Sequence, residues 1–207
     1  MAYDVAADTE LHAVNAWIVS SVGGPGHVGP AFRDLIRQGF DEVIDGPRTR
    51  RCRIDELEKT EKTYLGTKIE ILVRSLFGGC RGEVLDLSIC DQEVDVKFSV
   101  SDAWMIPPEA TGHLCLLIYG RESTQRFGVG LLRMIPEHRG AENRDRKTSV
   151  SALGKQRIHW IAEGDFPLNY LATLSEDDRQ SVFAGASATD RVAQLARVSV
   201  GRIIPRL

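Results

Sequence analysis

Asp95 and Lys97 stand two positions apart in the segment EVDVKFS, residues 93–99, and have opposite charges. The segment alternates polar and apolar side chains, which predicts a strand. Its apolar side chains would lie on one face, and Asp95, Lys97 and Ser99 on the other. Lys147 also follows an acid at this spacing, but it lies in a polar stretch without a strand pattern. The spacing therefore singles out Asp95 and Lys97 as a carboxylate and an amine directed at one patch of space.

Asp86 is predicted to reach the same patch, because the preceding segment EVLDLSIC also alternates. A tight turn at Asp91–Gln92 would join the two strands as an antiparallel hairpin. In that register Asp86 lies across from Lys97, and Ser88 lies across from Asp95. We therefore expect Asp86, Asp95 and Lys97 on one face of the hairpin.

Glu70 is a third candidate carboxylate. The pattern of residues 54–77 predicts a long amphipathic helix in which Glu70 shares a stripe with Val73 and Phe77. An acid on a partly buried face needs a partner, because desolvating a lone charge is costly. Lys97 could be that partner in a structural ion pair, and a divalent metal ion is the other solution. The residues alone leave both interpretations open.

Phosphodiester hydrolysis is the chemistry that uses such a set. Carboxylate oxygens suit Mg²⁺, which neutralises the charge that builds up on the phosphate. In this interpretation Asp86 and Asp95 hold the metal, and Glu70 is an additional ligand or organises water. Lys97 positions the attacking water and helps to deprotonate it.

The elements that must position these side chains change type along the chain. Helical periodicity predicts helices over residues 8–22, 31–44 and 54–77, with a break at GGPGHVGP. Strand patterns follow at residues 83–90, 93–99, 113–120 and 127–135. Residues 174–185 and 187–204 again predict helices, joined by a short turn. This order predicts an α/β fold with a mixed sheet flanked by helices and a short helical C-terminal extension.

The composition is typical of a globular protein. The 207 residues are 43% hydrophobic and 27% charged, and the sequence has no membrane-length apolar run and no secretory signal pattern. Four cysteines without metal-site spacing favour a reduced interior. We therefore expect a cytoplasmic protein that does not contact a membrane.

Positive charge is concentrated locally, although the net charge is −3. The segment at residues 48–53 is basic, and residues 138–147 are rich in Arg and Lys. Both could be solvated loops, or they could contact nucleic acid. The candidate DNA-contacting residues are Arg48, Arg50, Arg51, Lys59, Lys62, Ser99, Asn143, Arg144, Arg146 and Lys147.

A family resemblance joins these observations. Glu70, Asp86 and the DVK motif at residues 95–97 resemble the PD-(D/E)xK nuclease site, with Leu85 where many members have proline. Residues 55–71, 94–99, 103–120 and 135–147 are similar, in order and spacing, to the NaeI family of type II restriction endonucleases. Weaker similarity covers nearly the whole chain.

The resemblance implies a restriction-endonuclease-like core that cuts double-stranded DNA at a short palindrome. It implies Glu70, Asp86, Asp95 and Lys97 as catalytic residues and Mg²⁺ as cofactor, with Mn²⁺ as a substitute. It also implies a homodimer and a cognate DNA methyltransferase as functional partner. Residues 1–150 would form the endonuclease domain. Residues 151–207 would form a helical extension, compatible with the start of a winged-helix or helix-turn-helix-like domain.

Two alternatives remain at this point. The same site could belong to a nicking, repair or modification-dependent nuclease. A catalytically inactive protein could instead bind DNA through its C-terminal helices and retain the acidic pocket.

Overall fold

A computed structural model describes residues 3–201 of the chain. The helices within that range are α1 (Thr9–Ser21), α2 (Pro25–Ile44), α3 (Gly46–Thr49), α4 (Lys59–Leu76), α5 (Ala152–Gln156), α6 (Glu176–Phe183) and α7 (Ala188–Val198). The strands are β1 (Leu87–Ile89), β2 (Gln92–Ser99), β3 (Met105–Ile106), β4 (Leu114–Arg121), β5 (Arg126–Arg133), β6 (Arg139–Glu142), β7 (Thr148–Val150) and β8 (His159–Asp165). None of the helices described is long and apolar enough to cross a membrane.

The main sheet has five strands in the order β1-β2-β4-β5-β8. Strand β4 runs parallel to β2 and antiparallel to β5, so the sheet is mixed. Seven of the eight residues of β4 are buried, as its nearly continuous apolar sequence requires of a central strand. The prediction of a mixed sheet flanked by helices is confirmed.

Each face of the main sheet packs against its own hydrophobic cluster. The first cluster joins one face to α1, α2 and α4. The second joins the opposite face to a small sheet of order β3-β7-β6 and contains the buried Trp104. The Trp104 indole N–H donates to the Ile118 carbonyl oxygen at 2.8 Å, which satisfies its polar atom. The main sheet is therefore held from both sides.

The N-terminal helices follow local signals. Asp8 accepts a hydrogen bond from the backbone N–H of Leu11 at 3.0 Å and caps α1. Helix α2 begins at Pro25, so the predicted break before residue 31 is too long. Proline fits the first turn of a helix, and Val28 extends the buried face into this region.

The predicted register of the β1–β2 hairpin is wrong. Ser88 pairs with Glu93, two positions away from the expected partner Asp95. The turn residues are Cys90 and Asp91, with φ of 52° and 60°, as a two-residue turn between twisted strands requires. Strand β1 is also shorter than predicted. Leu85 leaves the strand and packs in the second cluster rather than beside Leu87.

The segment after residue 150 was expected to be helical, but it also contains a strand. Strand β8 pairs with β5 and forms one edge of the main sheet, so the sheet continues beyond the predicted boundary at residue 150. Its run of Trp160, Ile161 and Ala162 is short, and it lies between polar residues, which hides the strand pattern. Helices α6 and α7 are capped by Ser175 and Ser187. Residues 202–204 of the last predicted helix lie outside the described residues.

Candidate active site

The candidate site begins where the β1–β2 ladder ends. The last ladder pair on this side is Leu87 with Val94. Beyond it, the backbone N–H of Val96 donates to Asp86 Oδ2 at 2.8 Å. A side chain thus replaces the missing strand partner, and this contact fixes the Asp86 carboxylate against β2.

Strand β2 places Asp95 and Lys97 on the sheet face that they share with Cys115 and Leu117 of β4. Lys97 Nζ donates to Asp95 Oδ1 at 2.8 Å and to the Val96 carbonyl oxygen at 2.9 Å. The predicted face of the strand is therefore correct, although the hairpin register is not.

Helix α4 brings Glu70 to the same place. Its neighbours Ile69 and Val73 are buried and anchor the helix in the first cluster. Lys97 Nζ lies 3.9 Å from Glu70 Oε1 and 3.6 Å from Asp86 Oδ2. The ammonium group therefore lies among three carboxylates.

Burial changes the proton affinity of two of these acids. Desolvation raises the pKa of Glu70 to about 7, against the opposing attraction of Lys97. Desolvation also raises the pKa of Asp95 to about 6, again opposed by Lys97. Both carboxylates consequently bind protons more tightly than carboxylates in water do.

The same cluster keeps Lys97 charged. Burial alone disfavours the ammonium form, but attraction to Asp95, Asp86 and Glu70 outweighs that cost and raises the pKa of Lys97. Lys97 therefore donates hydrogen bonds here, and the carboxylates are the groups with spare acceptor capacity.

The donor set suits a hard cation. Three carboxylates surround the site, and the buried Asp95 Oδ2 has no hydrogen-bond partner among residues 3–201. Within residues 3–201, no three His, Cys, Asp or Glu side chains are arranged together in the geometry of a metal site. Lys97 lies between the acids, so a cation would enter with a shift of these side chains.

Two arginines that the sequence analysis did not single out line the same pocket, together with Asp86, Asp95 and Lys97. They are Arg74 and Arg81. Arg74 Nη2 lies 3.9 Å from Asp86 Oδ1, and its Nε is buried without a partner. The available signal was its position four residues after Glu70, which places both side chains on one helical face.

Lys147 is the predicted DNA-contacting residue that lines this pocket. It lies with Asn143, Arg144 and Arg146 in the exposed connection between β6 and β7. The Asn143 side-chain oxygen accepts hydrogen bonds from Asp145 N and Lys147 N at 2.9 and 3.0 Å. That side chain shapes the turn and so presents the basic residues around it.

The other basic candidates lie outside the residues that line the pocket. Arg48 pairs with Asp45 at 2.7 Å, and Arg51 forms two hydrogen bonds to Glu61 at 2.7 and 2.8 Å. Arg50 is exposed, and the remaining candidates, Lys59 and Lys62, lie in the first turn of α4. Glu70 lies roughly 16 Å beyond Lys59 and roughly 12 Å beyond Lys62 along that helix, at about 1.5 Å per residue.

Ser99 is buried and holds the loop that follows β2. It is 8% exposed, and its Oγ accepts hydrogen bonds from Ser101 N and Ala103 N, both at 3.1 Å. The polar side of the strand pattern suggested an exposed side chain, but the loop after β2 folds over it. We do not include Ser99 among the proposed DNA contacts.

A mixed sheet flanked by helices, with three acids and a lysine gathered beside β2, defines a restriction-endonuclease-like fold. The sequence profile described as "Restriction endonuclease NaeI" matches residues 24–207. The chain therefore belongs to the NaeI restriction endonuclease family.

A relative in Lentzea aerocolonigenes is described as "Type II restriction enzyme NaeI". The two proteins are 36% identical over 187 residues, which is 86% of this chain. The chain spans 59% of the length of that relative.

Proposed function

We propose that this chain carries a Mg²⁺-dependent, site-specific endonuclease activity on double-stranded DNA. The observation that carries the proposal is the convergence of Glu70, Asp86, Asp95 and Lys97 beside β2, where the β1–β2 ladder ends. Family membership supports DNA as the substrate.

Asp86, Asp95 and Glu70 are the residues that would hold the cation, and Mn²⁺ would substitute for Mg²⁺. Asp95 Oδ2 provides an acceptor that is left unsatisfied within the described part of the chain. When bound, the metal ion neutralises negative charge on the phosphate and lowers the pKa of a coordinated water.

Lys97 and the basic side chains around the pocket act on the phosphate. The Lys97 ammonium group donates to a non-bridging oxygen and orients the attacking water. As an ammonium group, Lys97 helps to deprotonate that water by donating a hydrogen bond to the hydroxide that forms, while the proton passes to solvent. Arg74, Arg81 and Lys147 line the pocket and attract the DNA backbone. Arg144 and Arg146, near Lys147, are proposed backbone contacts as well.

The remaining proposals follow from the family. A palindromic site is matched by a two-fold protein, so we propose a homodimer. Cleavage would leave 5′-phosphate and 3′-hydroxyl ends. A methyltransferase of the same specificity would protect host DNA, and both proteins would work in the cytoplasm.

Supercoiled plasmid with Mg²⁺ tests the proposal directly. The matched reactions contain Asp95→Asn protein, or Ca²⁺ in place of Mg²⁺. We expect discrete linear fragments that are absent from both controls, because the carboxylate and the correct cation are both required. Nicked circles alone would favour the strand-nicking alternative. Metal-independent binding without cleavage, across many DNA sequences, would contradict the nuclease proposal for this chain.

A further inference from the structure

The loop that carries Asp86 is not held by strand pairing. Ladder pairs between β1 and β2 begin at Leu87, so residues 83–86 have no partner strand in the range that the structure describes, 3–201. Leu85 packs in the second cluster, but Glu83 and Val84 are exposed, and exposed loop segments usually move more than the elements beside them. A catalytic carboxylate needs a firmer support than such a loop supplies.

Glu93 provides the missing hydrogen bonds. Its Oε1 accepts from Glu83 N at 2.9 Å, and its Oε2 accepts from Leu85 N at 2.6 Å and Val84 N at 3.2 Å. Three consecutive N–H groups thus converge on one carboxylate, an arrangement that suits an anion.

Gly82 allows the loop to close around that carboxylate. A Cβ atom at this position would lie 2.6 Å from Glu93 Oε2 and 2.5 Å from the Leu85 carbonyl oxygen. Contacts this short require the chain to shift. The close approach of Gly82 and the three hydrogen bonds are independent observations of one tightly folded loop.

We infer that Glu93 is a positioning residue for the reaction. Its carboxylate holds the 83–86 loop so that Asp86 lies against β2 at the candidate metal site. Glu93 does not line the pocket, whereas Asp86 does. Glu93 fixes the backbone of residues 83–85, which precede Asp86. The Asp86 carboxylate is itself fixed by the hydrogen bond from Val96 N. This inference rests on the proposed nuclease function.

Glu93→Gln is the test variant. The substitution keeps the size of the side chain but replaces one carboxylate oxygen with an amide NH₂ group. That group is a donor and cannot accept a hydrogen bond from the backbone N–H groups that point at it. We expect the cleavage rate constant kcat to fall about 10- to 100-fold, the range found when groups that orient metal ligands are lost. The KM for DNA, DNA affinity in EDTA and the melting temperature should stay close to wild type. Glu137→Gln, at an exposed position with no side-chain hydrogen bond among those described, is the matched control.

Hydrogen exchange on metal-free protein provides a readout besides activity. The amides of residues 83–85 should exchange at least about 10-fold faster in Glu93→Gln, because opened loops lose protection. Gly82→Ala keeps the carboxylate but displaces the loop, so it should reproduce both effects. It also serves as the second variant if Glu93→Gln does not fold.

The outcomes separate two failures. Wild-type kcat and wild-type exchange in both variants would overturn the positioning role and leave the nuclease proposal intact. A kcat that falls only in proportion to the folded fraction would overturn it too. If the wild-type protein itself does not cleave DNA, the nuclease proposal fails. Exchange at residues 83–85 then still decides whether Glu93 holds the loop.

Discussion

Two hairpins of the main sheet differ in how their backbone N–H and C=O groups are hydrogen-bonded. The β4–β5 hairpin pairs continuously from Leu114↔Arg133 to Arg121↔Arg126 and is buried along most of its length. The β1–β2 hairpin keeps three pairs, from Leu87↔Val94 to Ile89↔Gln92. Beyond those pairs, carboxylates of Asp86 and Glu93 accept the backbone N–H groups.

The difference shows where a site can be built. A complete ladder uses its own polar groups and contributes to stability. An interrupted ladder leaves groups that side chains must satisfy, and those side chains are thereby held in fixed positions. We therefore expect changes in β4 to affect stability and changes beside β2 to affect catalysis.

Lys97→Ala should give the largest effect of all, and that effect should be a loss of cleavage rate rather than of stability. Loss of a group that orients and deprotonates the attacking water costs roughly 10²- to 10⁴-fold in rate. Single-turnover cleavage of a plasmid measures this loss. Lys155→Ala removes an ion pair with Asp102, neither residue lines the pocket, and the variant should cleave like wild type. Equal losses in both variants would contradict the special role of Lys97.

Leu116→Ala should give the largest stability effect. Leu116 is fully buried in β4, and truncating a buried leucine costs about 2–5 kcal/mol through lost burial and a cavity. Urea unfolding measures this cost. Cleavage per folded molecule should remain at the wild-type value. Val192→Ala, at a half-exposed position, should change stability by less than about 0.5 kcal/mol. A specific loss of cleavage in Leu116→Ala would break the division between the two hairpins.

The pH dependence of stability should reveal the acid cluster beside β2. In metal-free protein, Glu70 has a pKa raised from 4.5 to about 7, and Asp95 has a pKa raised from 3.8 to about 6. Between the ordinary and the raised values, the folded chain binds more protons than the unfolded chain. As pH rises, the ionisation of these two groups therefore lowers the free energy of unfolding. This decrease is complete above about pH 7.

Glu70→Gln isolates this contribution because other titrating groups cancel in the difference from wild type. The variant should gain roughly 1–2 kcal/mol relative to wild type between pH 5 and pH 8. Urea unfolding in EDTA at both pH values measures the gain. A difference that does not change with pH would show that Glu70 titrates normally, and would contradict the desolvated cluster.

The β1–β2 turn should give the smallest effect. Cys90 and Asp91 both have positive φ, which favours Asn-Gly over the present pair. The double variant Cys90→Asn, Asp91→Gly should gain about 0.5–1 kcal/mol, because both residues adopt this conformation with less strain. Thermal unfolding measures the gain, and kcat should not change. Lower stability would show that the turn depends on the native side chains.

The sequence predicted the parts that depend on side-chain period. The helices α1 and α4, the buried β4 and the face shared by Asp95 and Lys97 all follow from local patterns. The hairpin register was not predictable, because Cys90 is not a typical turn residue and the pattern favoured a turn at Asp91–Gln92. Glu93 and Arg74 were missed because their roles depend on contacts between distant segments.

The pairing of β8 with β5 sets a limit for protein engineering. A fragment cut at residue 150 loses β8 and leaves the apolar strand β5 as an open sheet edge. Unprotected edges of this kind recruit other chains and promote aggregation. A minimal catalytic fragment, or a fusion to another DNA-targeting module, must therefore retain the chain at least through Phe166, which packs in the first cluster.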